Sequence, residues 1–161
     1  MEWYKSIGSP KYICAPMVDQ SDLPFRVLTH KYGCEMAYTP MFHSRHFSEQ
    51  ESYRRNHWQT CSEDKHVVAQ FCGDDADVLV KAASFLQHEV DAVDLNFGCP
   101  QGIARKGHYG SFLLNEPELC TPIASNMSKQ LACPVTAKIR CVNHERDYQD
   151  TMKLVYSLQA A

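Results

Sequence analysis

Short apolar runs alternate along the chain with longer stretches in which apolar residues recur at helical spacing. The runs Tyr12–Ala15, Glu35–Thr39, Val67–Cys72, Ala92–Phe97 and Val135–Arg140 read as strands, each uniform enough in polarity to be buried on both faces. The stretches Leu23–Tyr32, Asp77–Gln87, Pro117–Gln130 and Arg146–Ala160 read as helices; Ser21 or Asp22 opens the first as N-cap and Gly33 closes it. His43–Cys61, dense in polar and aromatic residues, reads as one short, irregular helix. Strands that alternate with helices predict an α/β domain built from repeated βα units around a parallel sheet. No linker or shift in composition divides the chain, so a single domain is expected.

Within the strands, period two decides which side chains share a face. Val68, Gln70 and Cys72 share one face; Asp94 and Asn96 share another, opposite Val93, Leu95 and Phe97; Thr136, Lys138 and Arg140 share a third. Three strands therefore gather polar groups on one face near their carboxyl ends, where α/β barrels and open parallel sheets build their sites. The alternative reading of the same pattern is the partly solvated edge of a small α/β domain. Lysine is rarely buried unless paired, so Lys138 on this face suits a neighbouring anion or electron-rich ring.

Composition narrows the class without choosing a function. The chain has 161 residues, 44% of them hydrophobic, and a formal charge of −3, which offers nucleic acid no general electrostatic attraction; any RNA contact needs a local patch. No apolar run reaches the length of a membrane helix, and the start Met1-Glu2-Trp3-Tyr4-Lys5 lacks the build of a signal peptide, so a cytoplasmic or nuclear protein is expected. The eight cysteines form no CxxC pair and read as reduced thiols rather than a zinc site or disulfide framework. His43 and His46 lack carboxylate or cysteine partners at ligand spacing, and no metal is expected.

The densest chemistry lies in Asp94-Leu95-Asn96-Phe97-Gly98-Cys99-Pro100, where a strand passes into a loop. Gly98 lets the backbone approach a flat ligand, and Pro100 biases Cys99 toward an extended conformation that aims its thiol into a cleft. A free thiol with a pKa of about 8.5 is mostly protonated at neutral pH and can donate a proton. The loop 101–112 carries Arg105, Lys106 and His108 among glycines, and reads either as a mobile cover touching RNA phosphates or as a solvated basic loop. Gly102 and Gly107 are spaced as in a P-loop, but His108-Tyr109 replace the required Lys-Ser/Thr.

Ala15-Pro16-Met17-Val18-Asp19, Tyr38-Thr39-Pro40-Met41, Gln70-Phe71, Asn96-Phe97-Gly98-Cys99-Pro100, Lys106-Gly107-His108-Tyr109-Gly110 and Lys138-Ile139-Arg140 follow one another in the order and spacing of the tRNA-dihydrouridine synthases. Pro16-Met17-Val18-Asp19-Gln20 and Gly107-His108-Tyr109-Gly110 resemble the eukaryotic branch acting on uridines 16 and 17 of the D loop. The resemblance implies a (β/α)8 TIM-barrel flavoenzyme that uses FMN and NADPH or NADH to reduce uridine to 5,6-dihydrouridine. It implies that Pro16, Met17 and Val18 line the isoalloxazine through their backbone. Gln70 would bond the polar edge of its pyrimidine ring, and Lys138 would stand where negative charge gathers on the reduced flavin. Asn96 and Arg140 would serve the substrate, and Cys99 would be the proton donor. The expected partner is tRNA, with no DNA and no membrane.

A complete barrel takes roughly 250 residues. The sequence accounts for about five of the eight βα units, so residues 1–161 read as the amino-terminal part of the barrel, without its later phosphate-binding loops or a helical tRNA-binding domain. Two alternatives stand beside this reading: another FMN-dependent barrel reductase acting on a free pyrimidine, and a truncated, non-catalytic product.

Overall fold

The computed structural model describes residues 2–141 and 148–161. Among these residues, six parallel strands form one sheet: β1 (Ile13–Cys14), β2 (Met36–Tyr38), β3 (Phe42–His43), β4 (Val67–Cys72), β5 (Ala92–Phe97) and β6 (Val135–Ile139). The order is β1-β2-β4-β5-β6, with β3 paired to the carboxyl end of β4. The parallel sheet is what the alternation predicts, and it forms part of a TIM barrel, as the resemblance implies. β4 and β5 match the predicted bounds, while β1, β2 and β6 are each one or two residues shorter than predicted.

Eight helices accompany these strands among the described residues: α1 (Glu2–Ser6), α2 (Leu23–Lys31), α3 (Ser44–Glu49), α4 (Glu51–His57), α5 (Ala76–Ser84), α6 (Gly102–Lys106), α7 (Pro117–Gln130) and α8 (Gln149–Gln159). A 3₁₀ turn covers Gly110–Asn115. The predicted fourth helix begins at Arg146, which lies outside the described residues. α5 starts earlier than predicted because Asp75 caps it, accepting hydrogen bonds from the Asp77 and Val78 amides. At α2, Asp22 occupies the N-cap position without a side-chain cap, whereas Ser21 turns inward.

Two expectations need correction. The segment 43–61 holds two helices, α3 and α4, instead of one irregular helix. Buried Phe47 packs on Phe42 and Phe71 at ring-centroid distances of 5.0 and 5.2 Å, and this tertiary contact fixes α3 where local pattern is weak. The loop 101–112 is likewise structured: α6 buries Ala104, and Tyr109 is buried beyond it.

Alternation sorts the side chains into two cores. Ala69, Phe71, Val93, Leu95 and Phe97 point outward and pack against α3, α5 and α7. On the inner face Met36, Val68 and Ala92 form an apolar layer, with Trp3 and Ile7 packed against it from the amino-terminal segment. The next inner layer is polar, and above it Cys72 packs with Ala104 and Tyr109.

Proline interrupts the sheet at one place that matters for the site. Between β2 and β3, Pro40 has no amide hydrogen for the ladder. Thr39 takes over there: its amide donates to the Val68 carbonyl at 3.0 Å, and its hydroxyl accepts from the Gln70 amide at 3.1 Å.

The loop after β1 is tied down from below. Ser21 Oγ accepts from the Met17 amide at 2.9 Å, and its backbone carbonyl accepts from Arg26 Nη1 at 2.9 Å. Arg26, 2% exposed, in turn forms an ion pair with buried Asp64, with Nη2 to Oδ2 at 2.6 Å and Nε to Oδ1 at 3.1 Å. Removing one member of such a pair strands a buried charge. Asp64→Ala is expected to lower stability by about 3–5 kcal/mol in denaturant unfolding, and Arg26→Met combined with Asp64→Leu to regain most of it. Equal stability of Asp64→Ala and the parent would refute the pairing's role.

Candidate active site

The polar inner layer is assembled by strand register. β4 and β5 set Gln70 beside Asp94; β5 and β6 set Asp94 beside Thr136 and Asn96 beside Lys138. Gln70 Nε2 donates to Asp94 Oδ2 at 2.8 Å, Thr136 Oγ1 donates to Asp94 Oδ1 at 2.6 Å, and Asn96 Nδ2 donates to Gln70 Oε1 at 2.9 Å. Burial pushes the Asp94 carboxyl up to about 6, against the opposing pull of Thr136, Gln70 and Lys138. Tyr38 closes the layer from β2, and burial together with the Asp94 charge raises its hydroxyl to about 12.

Asn96 carries the network out of the sheet. Its Oδ1 accepts from the Gly98 amide at 3.0 Å and from the Cys99 amide at 2.9 Å, an Asx turn that starts the loop. With both oxygen lone pairs and one amide hydrogen engaged, Asn96 keeps one N–H for a ligand. The turn is clasped on its other side as well: the Cys99 carbonyl accepts from the Ser111 amide at 2.9 Å and from Ser111 Oγ at 3.0 Å. Arg140 Nε donates to the Gly98 carbonyl at 3.1 Å. Gly110 has φ +73°, and a Cβ there would come within 2.5 Å of the Cys99 carbonyl oxygen, so only glycine lets the returning chain lie against Cys99.

Cys99 itself is half-buried, packed beside buried Cys72 and Tyr109. Burial and the proximity of Cys99 push the Cys72 thiol up to about 12, which leaves it an inert neighbour.

Of the residues expected at the cofactor, Pro16 and Lys138 line one cavity of about 330 Å3, together with Ile13, Ala15, Tyr38 and Ala137. The two arrive from the opposite edge strands β1 and β6, so curvature of the sheet brings them together. The buried carboxylate of Asp94 also borders this cavity, and Gln70, 1% exposed, is held beside it with both ends of its amide engaged. Lys138 is exposed. Met17 instead lines a groove with Phe25 and Leu28, and Val18 is 54% exposed, so the backbone of these two residues is what remains for a ring to rest on. The apolar walls of Ile13, Ala15, Pro16 and Ala137, with a cation at the rim and a carboxylate that Gln70 and Thr136 already satisfy, suit a planar, electron-rich ring.

Tyr38 and Thr39 lie in one of the motifs that carry the resemblance, but neither spacing nor alternation marks them, or Ser111, as partners of this site. Alternation does place Asp94 and Thr136 on the inner face, which is the signal from which their part could be read. His43 and His46 lie ring to ring at 4.7 Å, and His43 meets Tyr109 edge-on at 5.7 Å, so the pair belongs to an aromatic stack.

The loop behind Cys99 is latched by charge. His108, at φ +50°, sets Nδ1 2.7 Å from Asp74 Oδ2 and Nε2 3.0 Å from Glu116 Oε1. Two acceptors on one ring require the imidazolium. The hydrogen bonds to Asp74 and then Glu116 accordingly raise its pKa. A raised pKa means that the latch is fully formed below the ordinary histidine value of about 6.5 and is lost as pH rises through the elevated one. In an NMR titration His108 should show a midpoint above that of a free histidine, and Asp74→Asn should bring it down; a midpoint at or below the free value would dissolve the latch.

Residues 13–161 match the dihydrouridine synthase (Dus) family profile. The chain is 44% identical over 162 residues to the tRNA-dihydrouridine(16/17) synthase of Schizosaccharomyces pombe, covering 99% of this chain and 41% of that protein. It is 49% identical over 140 residues to the protein of the same name in Saccharomyces cerevisiae, covering 85% and 33% respectively. A human tRNA-dihydrouridine(20a/20b) synthase-like protein is 37% identical over 131 residues, 80% of this chain and 41% of its own length. The NAD(P)(+) couple is part of all three names. The chain thus spans between a third and two-fifths of the length of these relatives.

Proposed function

The chain belongs to the dihydrouridine synthase family, and we propose that its protein is an FMN-dependent tRNA-dihydrouridine synthase, driven by NADPH or NADH and acting on D-loop uridines of tRNA in the cytoplasm or nucleus. The observation that carries this reading is the Asn96–Cys99 turn, which holds a half-buried thiol at the carboxyl end of β5 and starts from Asn96, the register partner of the cavity-lining Lys138. Likeness to the (16/17) synthases over nearly the whole chain supports uridines 16 and 17 as the targets.

In this reading Pro16 and Lys138, with the backbone of Met17 and Val18, hold the flavin ring, and Gln70 faces its polar edge. Lys138 supplies positive charge where the reduced ring is anionic. A bound, reduced flavin would supply the hydride that uracil C6 requires. Cys99 Sγ gives its proton to C5, so the C5–C6 double bond becomes single with two electrons and two hydrogens added; the thiolate then regains a proton from solvent. Asn96 directs its remaining N–H at the uracil, and Arg140, pinned at Gly98, stands beside the same turn.

Asp64, Arg26 and Ser21 stabilise the loop that would touch the ring, and the Gly110 approach stabilises the turn that would touch the substrate. Cys99→Ala is therefore expected to retain flavin absorbance after gel filtration and bleaching by NADPH, yet to lose dihydrouridine formation by about 10²–10⁴-fold, the usual share of a general acid. Turnover equal to the parent would remove Cys99 from the reaction. A flavin that binds but is reoxidised by free uracil in preference to tRNA would favour a free-pyrimidine reductase instead.

A further inference from the structure

We propose that Asp94 is a positioning residue, whose carboxylate fixes the direction in which the Gln70 and Asn96 amides face and thereby holds the backbone turn that carries Cys99. Its value to catalysis rests on Cys99 being the proton donor; its structural action does not.

Polarity fixes the arrangement. Asp94, 1% exposed, sits in the middle of β5, in register with Gln70 on one side and Thr136 on the other. An ionised carboxylate can only accept hydrogen bonds. Gln70 must then turn its nitrogen to Asp94, at 2.8 Å, which turns its oxygen to Asn96. Only the nitrogen of Asn96 can meet that oxygen, at 2.9 Å, so the Asn96 oxygen is left facing the loop. There it finds the Gly98 and Cys99 amides, which can only donate, at 3.0 and 2.9 Å. The two ends of the relay thus make the same demand, and reversing either amide would set oxygen against oxygen or nitrogen against nitrogen.

Packing alone does not call for this arrangement. One layer below, Val68 and Ala92 fill the same inner face with apolar atoms. A buried carboxylate costs stability unless fully bonded, and here Thr136 and Gln70 satisfy it. At neutral pH it remains largely ionised, so its acceptor-only character holds. What the charge adds is direction: a neutral amide in its place could satisfy Gln70 in either orientation.

The test is made on the full-length protein by alkylation with iodoacetamide, followed by peptide mass, with exposed Cys61 as the internal reference. Asp94→Asn keeps size but lets Gln70 reverse. Cys99 is expected to react about three- to tenfold faster relative to Cys61, the equivalent of losing one net hydrogen bond. Asp94→Asn together with Asn96→Asp restores an obligate acceptor beside the Gly98 and Cys99 amides and lets Gln70 reverse consistently, so the rate should return toward the parent value. A purely structural need for a carboxylate at position 94 would leave the double variant no better than the single one, and that result, or an unchanged rate in a folded Asp94→Asn, overturns the proposal. If Asp94→Asn does not fold, the parent decides: NMR couplings across hydrogen bonds should run from Gln70 Nε2 to Asp94 Cγ and from Asn96 Nδ2 to Gln70 Cδ, and their absence, with either amide rotating freely, equally overturns it. Failure of Cys99 as proton donor would leave both readouts intact, so the two readings fail separately.

Discussion

The parallel register of β4, β5 and β6 is the constraint from which the site follows. With hydrogen bonding fixed at Gln70 beside Asp94 and Asp94 beside Thr136, a slip of one residue would turn every polar group outward and bring Phe71, Leu95 and Ala137 into the interior. The outer face forbids such a slip, because those same residues pack beneath the helices. Hydrophobic burial on one side of the sheet therefore enforces a polar constellation on the other.

The interior is graded along the strands. Its lower layer is apolar and covered by Trp3 and Ile7; its middle layer is a closed hydrogen-bonded set; its upper layer opens onto Cys99 and exposed Lys138. Although the apolar layer beneath it excludes water and raises the cost of a charge, a carboxylate is tolerated in the middle because two donors satisfy it. Around this core, three separate ties hold the loops: the Asp64–Arg26–Ser21 chain behind β1, the Thr39 hydroxyl where Pro40 interrupts the sheet, and His108 between Asp74 and Glu116 behind Cys99. Each places a polar group where the backbone has left its regular ladder, and each lies outside the set of residues that would touch a ligand.

β4, β5 and most of β6 were legible from alternation and β-branched content, as was the inner face that carries Gln70, Asp94, Asn96, Thr136 and Lys138. Helices with regular spacing, such as α7, were legible too. Motif order identified the family before any geometry, because Gly98, Cys99 and Pro100 form a local turn whose chemistry is written in adjacent residues. The short helices α1, α3, α4 and α6 were not legible, since each has too few turns for periodicity to stand out and is fixed by contacts such as Phe47 on Phe71.

What the sequence determined by itself is thus local: strand faces, the Asn96–Cys99 turn, and the residue types available for chemistry. Tertiary structure decided which of these meet. It brought Pro16 and Lys138, from the two edges of a curved sheet, to one cavity, and it placed Ser111 and Gly110 against Cys99. It also joined Arg26 to Asp64 across 38 positions. Such partners carry no spacing rule, because register, curvature and chain return fix their distances, and these arise only when the whole sheet packs.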